Sequence, residues 1–241
     1  MPAGTASARS CAVAARTWMA GLHYVRQRPD LVAVLVMLAL IGTFGFNFAI
    51  FISTMSVTVF HGDARQYGWL TSAMAVGTMS GALLSARRPF PGMVLMGGAS
   101  AVFGITLALA AVMPTPWTFA IVLFVVGLAA LTFMTASNSM MQLTTERGMR
   151  GRVLALRIAV VMGGTPIGAP LVGWVVDRFG ARWALGVGAL SGVAAAGVAV
   201  AYLVRHRNLR MHRIDGRLRL MLQPAPRETT ETAVAAGERV T

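Results

Sequence analysis

The sequence predicts an all-α membrane protein in which six transmembrane helices form one bundle, and two observations carry that expectation. The first is clumping of apolar residues. Of the 241 residues, 56% are hydrophobic and 12% charged, and no Asp, Glu, Lys or Arg occurs in residues 31–62, 66–86, 89–145, 158–176 or 183–204. A helix crosses a hydrocarbon core of about 30 Å with roughly 20 mostly apolar residues, so these stretches meet the length rule repeatedly. The second is the punctuation between them. His61-Gly62-Asp63, Arg88-Pro89-Phe90-Pro91-Gly92, Pro114-Thr115-Pro116, Glu146-Arg147-Gly148 and Phe179-Gly180 are turn formers at the joints.

Taken in order, the spans fall near residues 31–59, 67–86, 92–113, 117–141, 153–176 and 183–204. Short connections force neighbours to run antiparallel. Residues 1–30 form a leader in which Ala15, Trp18, Leu22 and Val25 recur at helical spacing opposite Arg16, His23 and Arg26, the pattern of a helix lying in the membrane interface. Residues 31–204 hold the bundle. Residues 205–241 begin with Arg205, Arg207, Arg210, Arg213, Arg217 and Arg219, a basic cluster that holds anionic lipid or serves as a stop-transfer signal. Beyond Pro224 the Thr-, Ala- and Glu-rich composition predicts disorder.

The formal charge of +13 invites a nucleic-acid reading, but the basic residues gather at the termini and between spans, with no basic stripe and interleaved aromatics. Nucleic acid is therefore not an expected partner; the bilayer is. Arg9, Arg16, Arg26, Arg28, Arg87, Arg88, Arg147, Arg150, Arg152 and the tail arginines share one side, against Arg65, Arg178 and Arg182 on the other. Positive charge in short flanks biases insertion, which puts both termini in the cytoplasm of a bacterial-type inner membrane. All 21 basic residues are Arg, a genomic bias rather than chemistry, and the single Cys11 cannot form an intrachain disulfide. The apolar run 11–15 is too short for a cleavable signal, so the first span is expected to act as its own insertion signal.

In lipid, helices approach closely where small residues recur one turn apart. The second span carries Ala73, Gly77, Gly81 and Ser85, and the sixth Ala184, Gly188, Gly192 and Ala196, so these faces are expected to pack tightly. The fifth span contains Gly163-Gly164-Thr165-Pro166-Ile167-Gly168-Ala169-Pro170. Pro166 and Pro170 each delete a backbone hydrogen bond while Gly164 and Gly168 add no restraint, so the helix is expected to kink near mid-bilayer.

Polar groups in hydrocarbon face a bundle interior or a wet cavity. Thr43, Asn47, Thr54 and Thr58 fall on one stripe of the first span, and Thr132, Thr135, Asn138, Ser139 and Gln142 on one stripe of the fourth. Two readings stand side by side: the stripes line one substrate cavity, or they are interhelical glue worth about 0.6 kcal/mol per contact. Arg157 is the one charge well inside a span. It either snorkels to the cytoplasmic headgroups or serves as a gate or an anion contact. No carboxylate lies within a span, since Asp30, Asp63, Glu146 and Asp177 all sit at ends.

Catalysis has no foothold. His23, His61, His206 and His212 lie outside the spans without ligand-spaced partners, and no Gly-Lys-Ser/Thr phosphate loop exists, so no enzyme, metal or cofactor is expected.

The run Asn138-Ser139-Met140-Met141-Gln142-Leu143, the Arg150-Gly151-Arg152-Val153-Leu154-Ala155-Leu156 helix start and the Gly163 to Pro170 element with Gly173-Trp174 resemble the tenth and eleventh helices of major facilitator superfamily exporters of the enterobactin-exporter type. Tyr24-Val25-Arg26-Gln27-Arg28-Pro29-Asp30-Leu31 resembles the lead into their seventh helix, and the likeness spans roughly residues 18–203. Gly173-Trp174-Val175-Val176-Asp177-Arg178-Phe179-Gly180-Ala181-Arg182 is similar to the superfamily's loop signature but falls on the outer side. The inner loop after the second span has Ser85-Ala86-Arg87-Arg88 and lacks the acid. The resemblance implies the C-terminal six-helix half of a secondary-active exporter of small amphiphilic compounds, with the first and fourth spans lining its cavity. Alternating access would then need a partner, an N-terminal bundle or a second copy of this chain. The competing reading is a non-transporting remnant or membrane scaffold, which requires neither polar stripes nor a broken helix.

Overall fold

The computed structural model describes residues 24–86, 92–206, 212–214 and 217–219. Of the expected leader, residues 24–30 fall within them, a helical turn at 24–26 and the start of the first helix at Pro29, and the tail beyond Pro224 lies outside the described residues. The first span enters as helix α1, Pro29–Leu40. Pro29 supplies a preset φ at a position where its missing N–H costs nothing, and Asp30 places negative charge in the first turn. The span continues through a π-helical turn, Ile41–Gly45, then helix α2, Phe48–Thr54, then a second π turn, Met55–Val59. His61 ends it at φ 52, with the Gly62 N–H reaching back 2.8 Å to the Ser56 carbonyl.

Five further long helices follow: α3, Ala64–Ala86; α4, Met93–Val112; α5, Pro116–Thr144; α6, Arg150–Phe179; and α7, Ala181–His206. Their ends follow local chemistry. Asp63 Oδ1 accepts from the Gln66 N–H at 2.9 Å and caps α3. Thr115 caps α5 ahead of Pro116 at its first turn. Gly180 takes φ 91, a conformation that a side chain would oppose, and turns the chain directly from α6 into α7.

Among the described residues, five stretches are long and apolar enough to cross a membrane: Pro29–Val59, Met93–Val112, Pro116–Thr144, Arg150–Phe179 and Ala181–Arg205. The expected second span is the 23-residue helix α3, about 34 Å at 1.5 Å per residue. Its length suffices, but Gln66, Gly68, Ser72, Thr78 and Ser80 dilute its apolar character, so the structure counts five apolar crossings plus this helix.

The close contacts fall where glycine meets a neighbour's backbone. A Cβ on Gly77 would collide with the Phe124 carbonyl, one on Gly81 would stand 2.7 Å from the Leu128 carbonyl oxygen, and one on Gly127 would strike the Met74 carbonyl. Helices α3 and α5 therefore lie backbone to backbone. On the other side, a Cβ on Gly192 would come within 2.6 Å of Gly104 Cα, and one on Gly188 within 3.1 Å of the Phe51 ring. The small-residue strips of the second and sixth spans each have their own partner, α5 for one and α4 with α2 for the other.

Helix α6 runs as one element from Arg150 to Phe179 with Pro166 and Pro170 inside it. Both prolines lie on its exposed side, so the deleted hydrogen bonds fall away from the packed face and the rest of the ladder survives. The irregular backbone occurs instead in the first span, where Phe46 and Asn47 belong to no helix.

Contacts divide the chain into two units, one ending at Tyr202 and one beginning at Leu203. The second contains a small antiparallel hairpin, β1 (His212–Ile214) and β2 (Arg217–Arg219), with His212 opposite Arg219. The basic cluster of the tail gave no sequence sign of this hairpin.

Gly77→Val should lower the thermal unfolding midpoint of the purified chain in detergent, at about 1–3 kcal/mol of overpacking. Gly68→Val, where nothing lies within 4 Å of an added Cβ, should leave the midpoint unchanged.

Candidate functional site

The break in the first span is the most irregular backbone of the described bundle, and it is built by four successive residues, Gly45 to Phe48. Gly45 leaves room for the Phe103 ring of α4, whose nearest atom would lie 2.8 Å from an added Cβ. Phe46 and Phe48 then stack on Phe103 edge-on, with centroids 6.0 and 6.1 Å away. Asn47, 4% exposed, follows at φ −87, ψ 43, and its Nδ2 donates 2.7 Å back to the Thr43 carbonyl. The amide thus replaces a helical donor where the ladder fails, as a buried carbonyl in hydrocarbon requires.

This segment seats on the glycines of α6. A Cβ on Gly168 would run into the Thr43 carbonyl and lie 3.2 Å from Asn47 Nδ2, while one on Gly164 would lie 2.9 Å from Thr43 Oγ1. The structure therefore brings Thr43, Asn47, Gly164 and Gly168 together. Pro166 and Pro170 face away on the exposed side.

Most hydroxyls of the two polar stripes are spent within their own helices. Thr54 Oγ1 donates to the Ile50 carbonyl at 2.6 Å, Thr58 to Thr54 and Thr132 to Leu128. Thr135 Oγ1 bonds the Leu131 carbonyl and also reaches Ser85 Oγ on α3 at 2.9 Å, tying two helices. Such back-bonding satisfies a hydroxyl without any pathway. The amides differ. Asn138 and Gln142 are partly exposed, and among the described residues neither has a hydrogen-bond partner.

Arg157 lies beside this stripe. Its Nη2 donates to the Met134 carbonyl of α5 at 3.1 Å and to Ser137 Oγ at 3.3 Å. Ser137 was absent from the sequence stripe because it sits one residue off the Asn138 face; only a long donor on the neighbouring helix reveals it. At the loop end near the start of α1, Arg28 Nη2 pairs with Glu146 Oε1 at 3.8 Å, and Tyr24 Oη bridges the Glu146 N–H and Arg28.

Two open grooves line other parts of the bundle. One, of about 410 Å³, is framed by Phe60, Asp63, Arg65, Gln66, Trp69, Pro116 and Trp117, where the two indoles stack 4.7 Å apart. The other, about 450 Å³ between α3 and α5, is apolar. Neither includes an expected cavity residue. No cluster of His, Cys, Asp and Glu that could hold a metal occurs among the described residues.

Gly168→Ala should reduce folded yield or unfold at lower temperature, because the rigid Thr43 carbonyl occupies the space of the new methyl; Gly163→Ala, which meets nothing within 4 Å, should behave as wild type. Thermal unfolding of both variants in the same detergent decides it.

The family model described as Major Facilitator Superfamily matches residues 16–231. No curated protein and no solved structure matches the chain. The matched stretch takes in every helix described above. With nearly its whole length covered by that family model, the chain belongs to the Major Facilitator Superfamily and is a multi-pass membrane transport protein.

Proposed function

We propose that this chain is the C-terminal six-helix bundle of a secondary-active exporter of the enterobactin-exporter-like branch, moving small amphiphilic compounds of drug or siderophore type out across a bacterial-type plasma membrane. Helix α3 serves as the sixth crossing and both termini lie in the cytoplasm. Transport proceeds by alternating access against a second bundle, either an N-terminal half or another copy of this chain. Asn47, Asn138 and Gln142 are the polar residues nearest the transport pathway, with Thr43, Thr54 and Thr135 around them.

The observation that carries the reading is the pairing of an irregular first span with the glycine face of α6. Two π turns and a break occupy one span, and π turns inside helices often mark working positions. Backbone of this kind at membrane depth is tolerated where protein or a water-filled cavity covers it. A static scaffold has no need of it. Support for a partner bundle comes from α6, of whose most apolar window only 22% is buried, against 39% or more in the other four apolar spans. Ala155, Ala159 and Gly163 lie one turn apart on its exposed side, which permits close approach by another helix.

The test is accumulation of three dyes or acids in bacteria lacking their own multidrug exporters: neutral Nile red, cationic ethidium and anionic 2,3-dihydroxybenzoate. The chain, with its partner bundle where one is encoded beside it, should lower the level of at least one. Asn138→Ala and Gln142→Ala should weaken that export about threefold, the size of one membrane-buried hydrogen bond, at unchanged protein level. Unaltered accumulation of all three compounds would support the scaffold or remnant reading instead.

A further inference from the structure

We infer that Arg157 is an anion-binding residue, and that the carboxylate of an amphiphilic acid carried by this protein is its ligand; the inference rests on the transporter reading above. Along α6 the residues facing the bundle are Val153, Val161, Gly164, Gly168 and Val172, all buried. Arg157 falls on that stripe, four residues from Val153 and four from Val161. Its position is about 10 Å of helix beyond Arg150 at 1.5 Å per residue. The side chain reaches across to Met134 and Ser137 of α5 and is anchored there. A lipid-facing arginine extended toward the headgroups would have no reason to bond the carbonyl of a neighbouring helix.

The anchoring leaves the charge unanswered. The three protein acceptors, the Met134 carbonyl and sulfur and Ser137 Oγ, are neutral and all are held by Nη2, while the buried Nε has no partner. The acids of the described residues stand at helix ends, Asp30 in the first turn of the first span, Asp177 near the end of α6, and Asp63 and Glu146 between helices, and none of them pairs with Arg157; Arg28 with Glu146 makes the one ion pair among the described residues. A guanidinium in an apolar surround costs several kcal/mol unless a counter-charge completes it, and intramembrane charges of this kind mark ligand pathways. Nε is sealed and Nη2 is spent on α5, so the nitrogen that can meet a carboxylate oxygen is Nη1, which donates to no acceptor among the described residues. Asn138, one turn from Met134 on α5 and without a partner, adds an amide to the same region. A lipid phosphate offers the same oxyanion chemistry, but the stripe on which Arg157 lies turns toward the bundle. Cargo is therefore the assigned source.

The test uses the full chain in nanodiscs of phosphatidylcholine, with phenylglyoxal as the arginine reagent, peptide mass spectrometry as the readout, and salicylate and its neutral amide as probes. Arg157 should react in the unliganded protein. Saturating salicylate should slow that reaction by about tenfold, the change expected of one charge-assisted pair, while salicylamide leaves it unchanged. Failure of salicylate to protect, equal protection by salicylamide, or an Arg157 that never reacts would each overturn the inference. Protection by phosphatidylglycerol mixed into the disc, without salicylate, would assign the site to a lipid headgroup and overturn the cargo source. Arg157→Lys should retain weakened salicylate binding in equilibrium dialysis and Arg157→Gln should lose it, so that loss of fold is separable from loss of charge. If dye export persists while Arg157 stays unprotected, the transporter reading stands and only the anion assignment falls.

Discussion

Glycine set against the backbone of a neighbouring helix holds this bundle together. Lipid tails are as apolar as leucine, so burying side chains between helices gains little over leaving them in the membrane. What remains is dispersion at close range, and close range needs the absence of a Cβ. Gly77, Gly81 and Gly127 do this for α3 and α5, Gly104 and Gly192 for α4 and α7, and Gly164 and Gly168 for α6 against the first span. The last pair differs in kind. Its partner is the irregular Thr43 to Asn47 segment rather than a regular helix, so the tightest glycine contact of α6 falls on the least regular stretch of the bundle.

That arrangement gives a physical basis for the proposed transport cycle. A regular helix resists change because each residue adds one hydrogen bond to a cooperative ladder. In the first span the ladder is widened into π turns twice and interrupted at Phe46 and Asn47, with the Asn47 side chain supplying one of the donors. Rearranging it means exchanging one side-chain hydrogen bond and shifting three phenylalanine rings, a far smaller cost than unwinding α5.

How much of this was legible in the sequence depends on the kind of signal. Five of the six expected spans were, because a run such as residues 89–145 has no other home than hydrocarbon, divided once by Pro114 and Pro116. The glycine strips of α3 and α7 were legible as four-residue spacing, but their partners were not: Gly127 stands among Val, Leu and Ala with no periodic companion, and only the docked helices show that it faces Met74. The irregular backbone of the first span was not foreseen. Proline is the loud signal and drew attention to α6, whereas the first span has none beyond Pro29 at its start. Its signs were quiet ones, Gly42 and Gly45 followed by Phe46 and Phe48 at a two-residue interval that suits no helix face. Arg157 was visible as an isolated charge, yet its turn toward α5 depended on the buried stripe of α6 and on Ser137, which no stripe contained. The partners of the hydroxyls were not legible either: Thr54 and Thr132 bond carbonyls of their own helices.

The central claim is that the first span, and not the proline-bearing α6, is the weak element of the bundle. Amide hydrogen exchange on the purified chain in nanodiscs measures this directly, because exchange reports local opening over minutes to hours. Peptides covering residues 41–50 should exchange measurably faster than those covering 123–133 of α5 and 160–172 of α6, and Asn47→Ala should speed only the first set. Protection in the first span equal to that of α5, with the fastest membrane-embedded exchange around Pro166 and Pro170, would contradict the account.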